Sequence, residues 1–470
     1  MVFSSLTFIF YFLPLCLILY FITPRKFKKL RNIILLIFSL VFYAWGEPKY
    51  IILMLLTVTV SYFSGLLINY FDEKKNKKLK RLTLIVSIVL IIGSLIFFKY
   101  TNFIIDNINS IFNSNIEIKN IVLPIGISFY TFQILSYVID LYWKNIKVQK
   151  SWFNLSLYVS FFPQLIAGPI VRYETIEDQL DHRQESLEKV VSGTERFLIG
   201  LAKKVLIANQ MAILADAVFD NSALAGLSYP VIILGILAYT FQIYFDFSGY
   251  SDMAIGLGRI FGFEFLENFN YPYISKSITD FWKRWHISLT TFFREYLYIP
   301  LGGNRVSTKR WILNMLIVWF LTGLWHGAAW NFILWGLYFF VILILEKTVL
   351  KKIINKTPYL VGFAITFILI NIGWVLFRVN NLSDIALLLN SSSTITLNNL
   401  IASNPDIILS LVLLPFAFFF SLNIMKKLDD KLIGKRWYGI IKKLVLLGLF
   451  VVCISFLVSS MYNPFIYFRF

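Results

Sequence analysis

The sequence is poor in the residues that cover soluble proteins and that carry out most acid–base chemistry. Only 15% of its 470 residues are charged, and it contains just three histidines and two cysteines. Hydrophobic residues make up 58% of the chain and aromatic residues 18%, and the mean hydropathy is +0.71. This composition excludes an ordinary soluble domain and indicates a polytopic membrane protein. It also leaves few side chains that can transfer protons near neutral pH.

The scarcity of cysteine restricts redox and metal chemistry. Cys16 and Cys453 both lie in apolar segments, so we expect buried thiols rather than a disulfide. No group of residues has the spacing of a metal site, and we expect neither a metal nor a bound cofactor.

Long apolar segments recur along the whole chain. Because a bilayer core requires about 20 apolar residues per helix, we predict an all-α polytopic protein with roughly eleven membrane helices. Residues 1–470 are expected to form a single integral membrane domain. The first segment lacks a basic n-region and a cleavage site, so we interpret it as a span rather than a signal peptide. The expected spans are 2–23, 31–45, 50–71, 82–98, 121–143, 196–219, 231–244, 360–377, 407–420 and 440–457, with further short helices in 311–345.

The basic residues lie in short loops between these spans. Residues 24–29 and 72–81 are both rich in lysine and arginine, and the positive-inside rule places both loops in the cytoplasm. The N-terminus is then extracytoplasmic. Because the net charge of +18 is spread over such loops, we expect it to set orientation and to meet anionic lipid rather than nucleic acid.

Residues 275–298 have the spacing of an amphipathic helix instead of a span. Apolar residues such as Trp282 and Trp285 alternate with charged ones, and a helix of this kind lies at a membrane interface or lines a polar cavity. Ser277 is expected to cap its start, and Pro300 with the following glycines to end it. His286 would lie at the edge of the apolar stripe, as a functional residue or as an interfacial one.

His326 is an ionisable residue in an apolar run. Residues 311–345 contain no lysine, arginine, aspartate or glutamate, and a polar ionisable group in such a run is a candidate functional residue. Basic residues at both ends of the run favour two short helices that reverse near Gly323–Gly327. His326 would then lie in irregular backbone beside a cavity, with Thr322 and Trp330 on its face. A histidine that only links two helices is the alternative.

Two other polar features are interpreted as structural. The segment 244–252 places Asp246 and Asp252 in an apolar environment. They are not neighbours on one helical face, so we expect them to orient other groups by hydrogen bonds. Residues 151–170 contain two prolines, which favours a re-entrant or interfacial segment over a straight span. His182 lies in a polar stretch and is expected to be a solvated residue.

Three motifs resemble those of the membrane-bound O-acyltransferases. They are Asp280-Phe-Trp-Lys-Arg-Trp-His286-Ile-Ser, the stretch from Arg294 to Arg305 with its Pro-Leu-Gly-Gly-Asn sequence, and Gly323-Leu-Trp-His326-Gly-Ala-Ala-Trp330. The chain is most similar to the alginate and peptidoglycan O-acetyltransferase branch, which is related to the D-alanyl transfer proteins. The opening residues 1–5 and the segment 244–252 also match that branch. The motif-bearing core spans about 120–345.

The resemblance implies a helical bundle around a central funnel and assigns functions to residues. It implies His326 as the catalytic histidine and His286 as the second functional histidine. Acetyl-CoA or an acyl-carrier thioester would be the cytoplasmic donor, and an SGNH-type partner outside the bacterial cytoplasmic membrane would complete transfer to a polysaccharide. The other candidate substrate or donor contacts are Trp282, Lys283, Arg284, Trp285, Arg294, Asn304, Trp325 and Asp246.

Acyl transfer from a thioester to a hydroxyl needs a proton acceptor. His326 is the candidate general base, a role that contributes about 10²–10⁴-fold in rate. His286 would orient a substrate or bind the developing oxyanion, and a histidine-acyl intermediate is the alternative mechanism. D-Alanyl transfer to teichoic acid and transport without chemistry are the other functions considered. The opening motif and chain length favour acetyl transfer, and we find none of the repeats typical of transporters.

Overall fold

The computed structural model describes residues 1–117, 121–221, 223–459 and 466, and most of them are helical. No strand occurs within these ranges, where a single bridge joins Leu227 to Ile395. The predicted all-α fold is therefore confirmed. In chain order the helices are α1 (Leu13–Ile22), α2 (Lys28–Ala44), α3 (Tyr50–Glu73), α4 (Lys77–Phe112), α5 (Ile127–Trp143), α6 (Trp152–Ser160), α7 (Phe162–Leu165), α8 (Tyr173–His182), α9 (Leu187–Ala202), α10 (Asn209–Phe219), α11 (Tyr229–Ile260), α12 (Ile278–Trp282), α13 (Ile287–Phe293), α14 (Thr308–His326), α15 (Trp330–Lys347), α16 (Lys351–Lys356), α17 (Tyr359–Arg378), α18 (Ser383–Leu389), α19 (Leu397–Ser403), α20 (Ile407–Ser421), α21 (Ile424–Leu432) and α22 (Arg436–Ser459).

The chain divides into two compact units. The first comprises Met1–Phe197 and Met253–Leu266, and the second comprises Leu198–Asp252 and Glu267–Phe470. Both histidines of the motifs belong to the second unit. The single domain expected for 1–470 stays a prediction, and Asn120, where the expected core begins, lies outside the described residues.

Several helices are long and apolar enough to cross a bilayer. Seven pass this criterion in the described ranges, and an eighth does if α20 and α21, which meet at a 57° bend, form one span. The predicted spans 31–45 and 121–143 correspond to α2 and α5, which have only 17 residues each. The polytopic character is confirmed, whereas the expected count of eleven stays a prediction. The seven are α3, α4, α9 with its continuation to Phe219, α11, α15, α17 and α22.

The first unit has an aromatic core near the N-terminus. Phe8 packs against Phe42 and Phe162 with ring centroids 5.9 and 6.1 Å apart. Phe162 opens the short α7, which is separated from α6 by Phe161, whose ψ of 111° is not helical. The segment 151–170 is therefore broken, as its prolines predict, and Cys16 is a buried free thiol, as is Cys453 in the second unit.

The predicted reversal around His326 is present in the second unit. Helix α14 ends at His326, and α15 begins at Trp330 and runs back antiparallel to it. The chain reverses over Gly327–Ala329, so the expected position of His326 in irregular backbone is wrong, because His326 is the last residue of α14. The two main chains touch, because a Cβ atom on Gly323 would lie 2.5 Å from the Phe332 carbonyl oxygen. Thr322 lies on the same helix as His326, as expected. The expected position of Trp330 on that face is wrong, because the chain turns before it.

The single amphipathic helix expected over 275–298 is also wrong. The segment forms α12, a turn, α13 and a π-helical turn over Arg294–Tyr298. The break comes from another segment, since Ile287 N–H donates to the Asn268 carbonyl and Asn270 N–H to the Arg284 carbonyl, both over 2.9 Å. These bonds replace helical ones. The predicted cap is correct, because Ser277 Oγ accepts from Asp280 N–H over 3.1 Å.

Candidate active site

His326 lies in an aromatic environment at the end of α14. Its imidazole is buried, with ring centroids 4.9 Å from Trp335, 5.0 Å from Trp325 and 5.2 Å from Phe377. All three rings meet the imidazole edge-on. Edge-on packing against these three rings therefore orients the imidazole at the point where the hairpin reverses.

A narrow cavity opens beside His326. The cavity volume is about 10 Å³, room for roughly one water molecule, and the imidazole is the ionisable group on its wall. An acyl group would fit only if the surrounding side chains moved apart. Its other lining residues are Ile243, Phe247, Trp285, Trp335, Trp374, Phe377 and Ile466.

His286 occupies the turn between α12 and α13, where its backbone is left-handed. Its φ and ψ are 45° and 54°, a conformation that costs most L-residues roughly 1–2 kcal/mol. The side chain is 1% exposed, and its Nδ1 lies 3.2 Å from Oδ1 of Asn268. Backbone strain maintained by packing is typical of functional sites.

The hydrogen bonds of Asn268 determine the tautomer of His286. Oδ1 of Asn268 accepts the Ser288 N–H over 3.2 Å, and its Nδ2 donates to Ser251 Oγ over 3.1 Å. The atom facing His286 must therefore be an oxygen, which can only accept. Nδ1 of His286 then carries the proton, and Nε2 has a lone pair. Within the described residues, Nε2 has no hydrogen-bond partner.

The surroundings keep His286 neutral. Burial lowers the pKa of its imidazole well below the ordinary value, and the nearby His326 lowers it further. The Trp325 ring is close to both histidines, with centroids 5.9 Å from His286 and 5.0 Å from His326. The site thus combines two imidazoles and a tryptophan, all of them buried.

A carboxylate from α15 fixes the start of the short α12. Glu346 accepts the N–H groups of Ile278 and Thr279 over 2.7 and 2.8 Å and the Thr279 hydroxyl over 2.7 Å. A negative charge at a helix N-terminus satisfies its unpaired N–H groups and complements its dipole. Glu346 therefore ties the segment that carries Trp285 and His286 to the hairpin that carries His326.

Asp246 lies in a buried ion pair. Its Oδ1 is 2.7 Å from Nζ of Lys204, and the two side chains are 2% and 4% exposed. The other oxygen accepts the N–H of Ile466 over 2.8 Å, and Ile466 in turn lines the cavity beside His326. Asp252 pairs with Lys203 over 2.6 Å. The two aspartates orient neighbouring groups, as their spacing suggested.

The structure brings together only part of the residues proposed from the motifs. Trp285 lines the cavity and Trp325 contacts both histidines, whereas Trp282 packs one layer away against Trp319 and Phe339. Arg284 is paired with Asp280 over 3.0 Å. The remaining three, Lys283, Arg294 and Asn304, are exposed and lie outside the lining of the cavity.

Several residues of the site carry no signal in the sequence. Asn268 and Glu346 are 18 and 68 positions away from the residues they bind, so spacing does not reveal them. Trp335, Trp374 and Phe377 look like ordinary aromatic residues of apolar helices. Their role on the cavity wall follows from the fold alone.

Comparison with known proteins places this site in context. The sequence model of the membrane-bound O-acyltransferase family matches residues 146–383. The probable alginate O-acetylase of Azotobacter vinelandii is 45% identical over 390 residues, which cover 82% of this chain and 76% of that protein. The peptidoglycan O-acetyltransferase of Helicobacter pylori is 39% identical over 416 residues, covering 82% and 78%.

A more distant relative has a different activity. The teichoic acid D-alanyltransferase of Bacillus subtilis is 32% identical over 239 residues, which cover 48% of this chain and 59% of that protein. The acetylases thus align over more of the chain and with higher identity. With its apolar helices, its buried pair of histidines and these matches, the chain is an integral membrane O-acyltransferase and belongs to the membrane-bound O-acyltransferase family.

Proposed function

We propose that the protein moves an acetyl group from a cytoplasmic thioester, acetyl-CoA or an acyl-carrier thioester, across the bacterial cytoplasmic membrane to O-acetylate an extracytoplasmic polysaccharide. The observation that carries the proposal is the pair His286 and His326, joined through Trp325 beside a narrow apolar cavity. The similarity to an alginate O-acetylase and to a peptidoglycan O-acetyltransferase supports acetyl as the group transferred.

His326 is proposed as the general base. A ring nitrogen takes the proton of the acceptor hydroxyl as its oxygen attacks the thioester carbonyl carbon. The new carbon–oxygen bond forms, the carbon–sulfur bond breaks, and the proton passes to the departing thiolate. The edge-on contacts with Trp335 and Phe377 keep the imidazole aimed in one direction.

His286 is proposed to orient the acceptor. Because its Nδ1 proton is directed at Asn268, the neutral ring presents a lone pair on Nε2. A lone pair accepts a hydrogen bond from a hydroxyl but does not stabilise an oxyanion. This favours a role in positioning the acceptor hydroxyl over a role as an oxyanion donor.

In this proposal the apolar cavity beside His326 widens to admit the acyl group. Trp285, Trp374 and Phe377 form part of its wall, so a thioester held between these rings would be shielded from hydrolysis. In this proposal an extracytoplasmic SGNH-type partner completes transfer to the glycan, and the N-terminus is extracytoplasmic. Lys283 and Arg294, which are exposed, would attract an acidic acceptor.

The decisive experiment replaces His326 with alanine. We expect His326→Ala to abolish O-acetylation of surface polysaccharide, measured by mass spectrometry of acetyl esters, while the protein still accumulates in the membrane. His182→Ala is the matched control, because His182 lies on α8 with a 70% exposed side chain. Normal acetylation by the His326 variant would defeat the assignment.

The donor group is tested separately. Membranes containing the protein are incubated with labelled acetyl-CoA or with D-alanyl carrier protein. We expect label to be transferred from the acetyl donor in a manner that depends on His326. Transfer from the D-alanyl carrier alone would favour the teichoic acid reaction.

A further inference from the structure

A second cavity lies in the first unit, where the N-terminal helices meet the segment after α8. It contains about 580 Å³ of space that opens to solvent. Four cationic side chains and one carboxylate line it, together with one glutamine. These are Arg25, Lys28, Arg31, Arg183, Gln184 and Glu185.

The inner cations of this cavity are rigidly held. Arg31 is 5% exposed and its Nη1 lies 2.9 Å from Oε1 of Glu185, while its other nitrogens donate to the Thr23 carbonyl over 2.9 and 2.7 Å. Nε of Arg183 donates to the Tyr20 hydroxyl over 3.1 Å. Two guanidinium groups are thus fixed in the wall before any ligand binds.

Glu185, the carboxylate that lines the cavity, is already paired with these arginines. Burial opposes the ionisation of Glu185, but the Tyr20 hydroxyl and the charges of Arg31 and Arg183 outweigh it and lower the pKa of Glu185. It is therefore ionised at neutral pH and paired. Among the residues that line the cavity in the described chain, it is the only anion, so a surplus of positive charge remains.

The surplus positive charge comes from the two outer cations, Arg25 and Lys28. Nη2 of Arg25 donates to the Glu185 carbonyl over 3.2 Å, and Nζ of Lys28 donates to the Asp181 carbonyl over 3.0 Å. These carbonyl groups hold the two side chains over the opening but do not neutralise their charge. Guanidinium and ammonium groups with spare N–H donors around a concave opening are typical of phosphate sites.

We propose that this cavity binds a phosphate ester. The 24–29 loop at its rim is one that the positive-inside rule assigns to the cytoplasm. Two sources of phosphate would meet it there, the phosphates of a coenzyme A donor and the headgroup of an anionic phospholipid. The coenzyme source rests on the proposed function, whereas the lipid source does not.

The test uses the full chain in phosphatidylcholine nanodiscs. Arg25→Gln with Lys28→Gln removes the two outer charges and leaves the buried pairs intact. Lys77→Gln with Lys78→Gln is the matched control, because these lysines are exposed at the start of α4 in the same unit. The probes are coenzyme A, 3′-dephospho-coenzyme A and inorganic phosphate, and phosphatidylglycerol is added to the nanodiscs in a second arm.

We expect the Arg25/Lys28 variant to bind its phosphate ligand on the order of tenfold more weakly than the wild type, with no loss in the Lys77/Lys78 variant. If the Arg25/Lys28 variant binds coenzyme A more weakly than the wild type does, the donor is the source of the phosphate. If the variant and the wild type also bind the dephospho form equally, the contact is with the 3′-phosphate. Loss of the thermal stabilisation by phosphatidylglycerol identifies the lipid.

The proposal is overturned if the two double variants are indistinguishable in every arm. A failure of the proposed reaction looks different, because His326→Ala would then retain acetylation yet leave phosphate binding unchanged. Raised salt should weaken the binding, since the outer charges are exposed and screened.

Discussion

Nδ1 of His286 lies 3.2 Å from Oδ1 of Asn268, and the same oxygen accepts the N–H of Ser288. One buried amide thereby decides which imidazole nitrogen carries the proton. Nε2 of His286 is then an acceptor, and the residue that determines this, Asn268, lies outside the motif that contains the histidine.

Asn268→Asp is expected to move the acid limb of the pH–activity profile to higher pH. A carboxylate beside Nδ1 favours the imidazolium form, so the pKa of His286 rises from its burial-lowered position. Below the raised pKa the ring is protonated and Nε2 no longer accepts a hydrogen bond. We expect a shift of about one pH unit or more, measured as the acetyl transfer rate against pH.

Asn268→Ala is the comparison for that measurement. It removes the acceptor without adding a charge, so activity should fall at all pH values with little movement of the limb. An unshifted profile in a folded, active Asn268→Asp protein would show that the titration of His286 does not limit the reaction.

The left-handed backbone at His286 predicts an unusual order of stability. Glycine adopts φ near 45° without the Cβ penalty. His286→Gly is therefore expected to be more stable than His286→Ala by about 1 kcal/mol, measured by thermal unfolding in detergent. Thr290 is an exposed position in the regular α13. There the order should be reversed, with Thr290→Ala more stable than Thr290→Gly by about 1 kcal/mol. The same order at both positions would contradict the assigned strain.

The contact between α14 and α15 predicts different effects of two glycine substitutions. Gly323→Ala forces a Cβ atom against the Phe332 carbonyl and must separate the hairpin. We expect a loss of about 1–3 kcal/mol in stability and a loss of activity, because His326 lies one turn away. Gly448→Ala in α22 meets nothing within 4 Å and should be neutral or slightly stabilising. Equal effects would argue against close main-chain packing.

Two adjacent lysines should differ in their contribution to stability. Lys204 and Asp246 are almost fully buried, whereas Lys203 and Asp252 are 27% and 14% exposed. Lys204→Met leaves a buried carboxylate unpaired and should cost about 3–5 kcal/mol. Lys203→Met should cost about 1 kcal/mol or less. The double change of Lys204→Met with Asp246→Leu should recover much of the loss, and a further loss would contradict this account.

The hairpin of α14 and α15 could be predicted because the sequence features that indicate it are local. A charge-free run with a histidine in it and with basic residues at both ends fixes the reversal between α14 and α15. The run from Ser275 could not be predicted in this way. Its spacing is helical, but the Ile287 N–H and the Arg284 carbonyl bond to the main chain of Asn268 and Asn270 instead of to groups within a helix.

Long-range contacts also explain which motif residues reach the site. Trp285 and Trp325 are carried there by the fold, while Arg284 is neutralised by Asp280 and Asn304 stays exposed. Glu346 holds α12 from a distant helix. Amino-acid spacing within a motif contains no information on such partners.

The antiparallel hairpin of α14 and α15 also bears on how the chain enters a membrane. Its helices have 19 and 18 residues, so each rises about 27–29 Å, close to the thickness of a bilayer core. Of the two, only α15 is also apolar enough to count among the seven membrane-capable helices. The tip, Gly327–Ala329, carries no charge. Insertion of this hairpin would therefore carry the tip, and His326 beside it, into the bilayer without translocation of a charged loop.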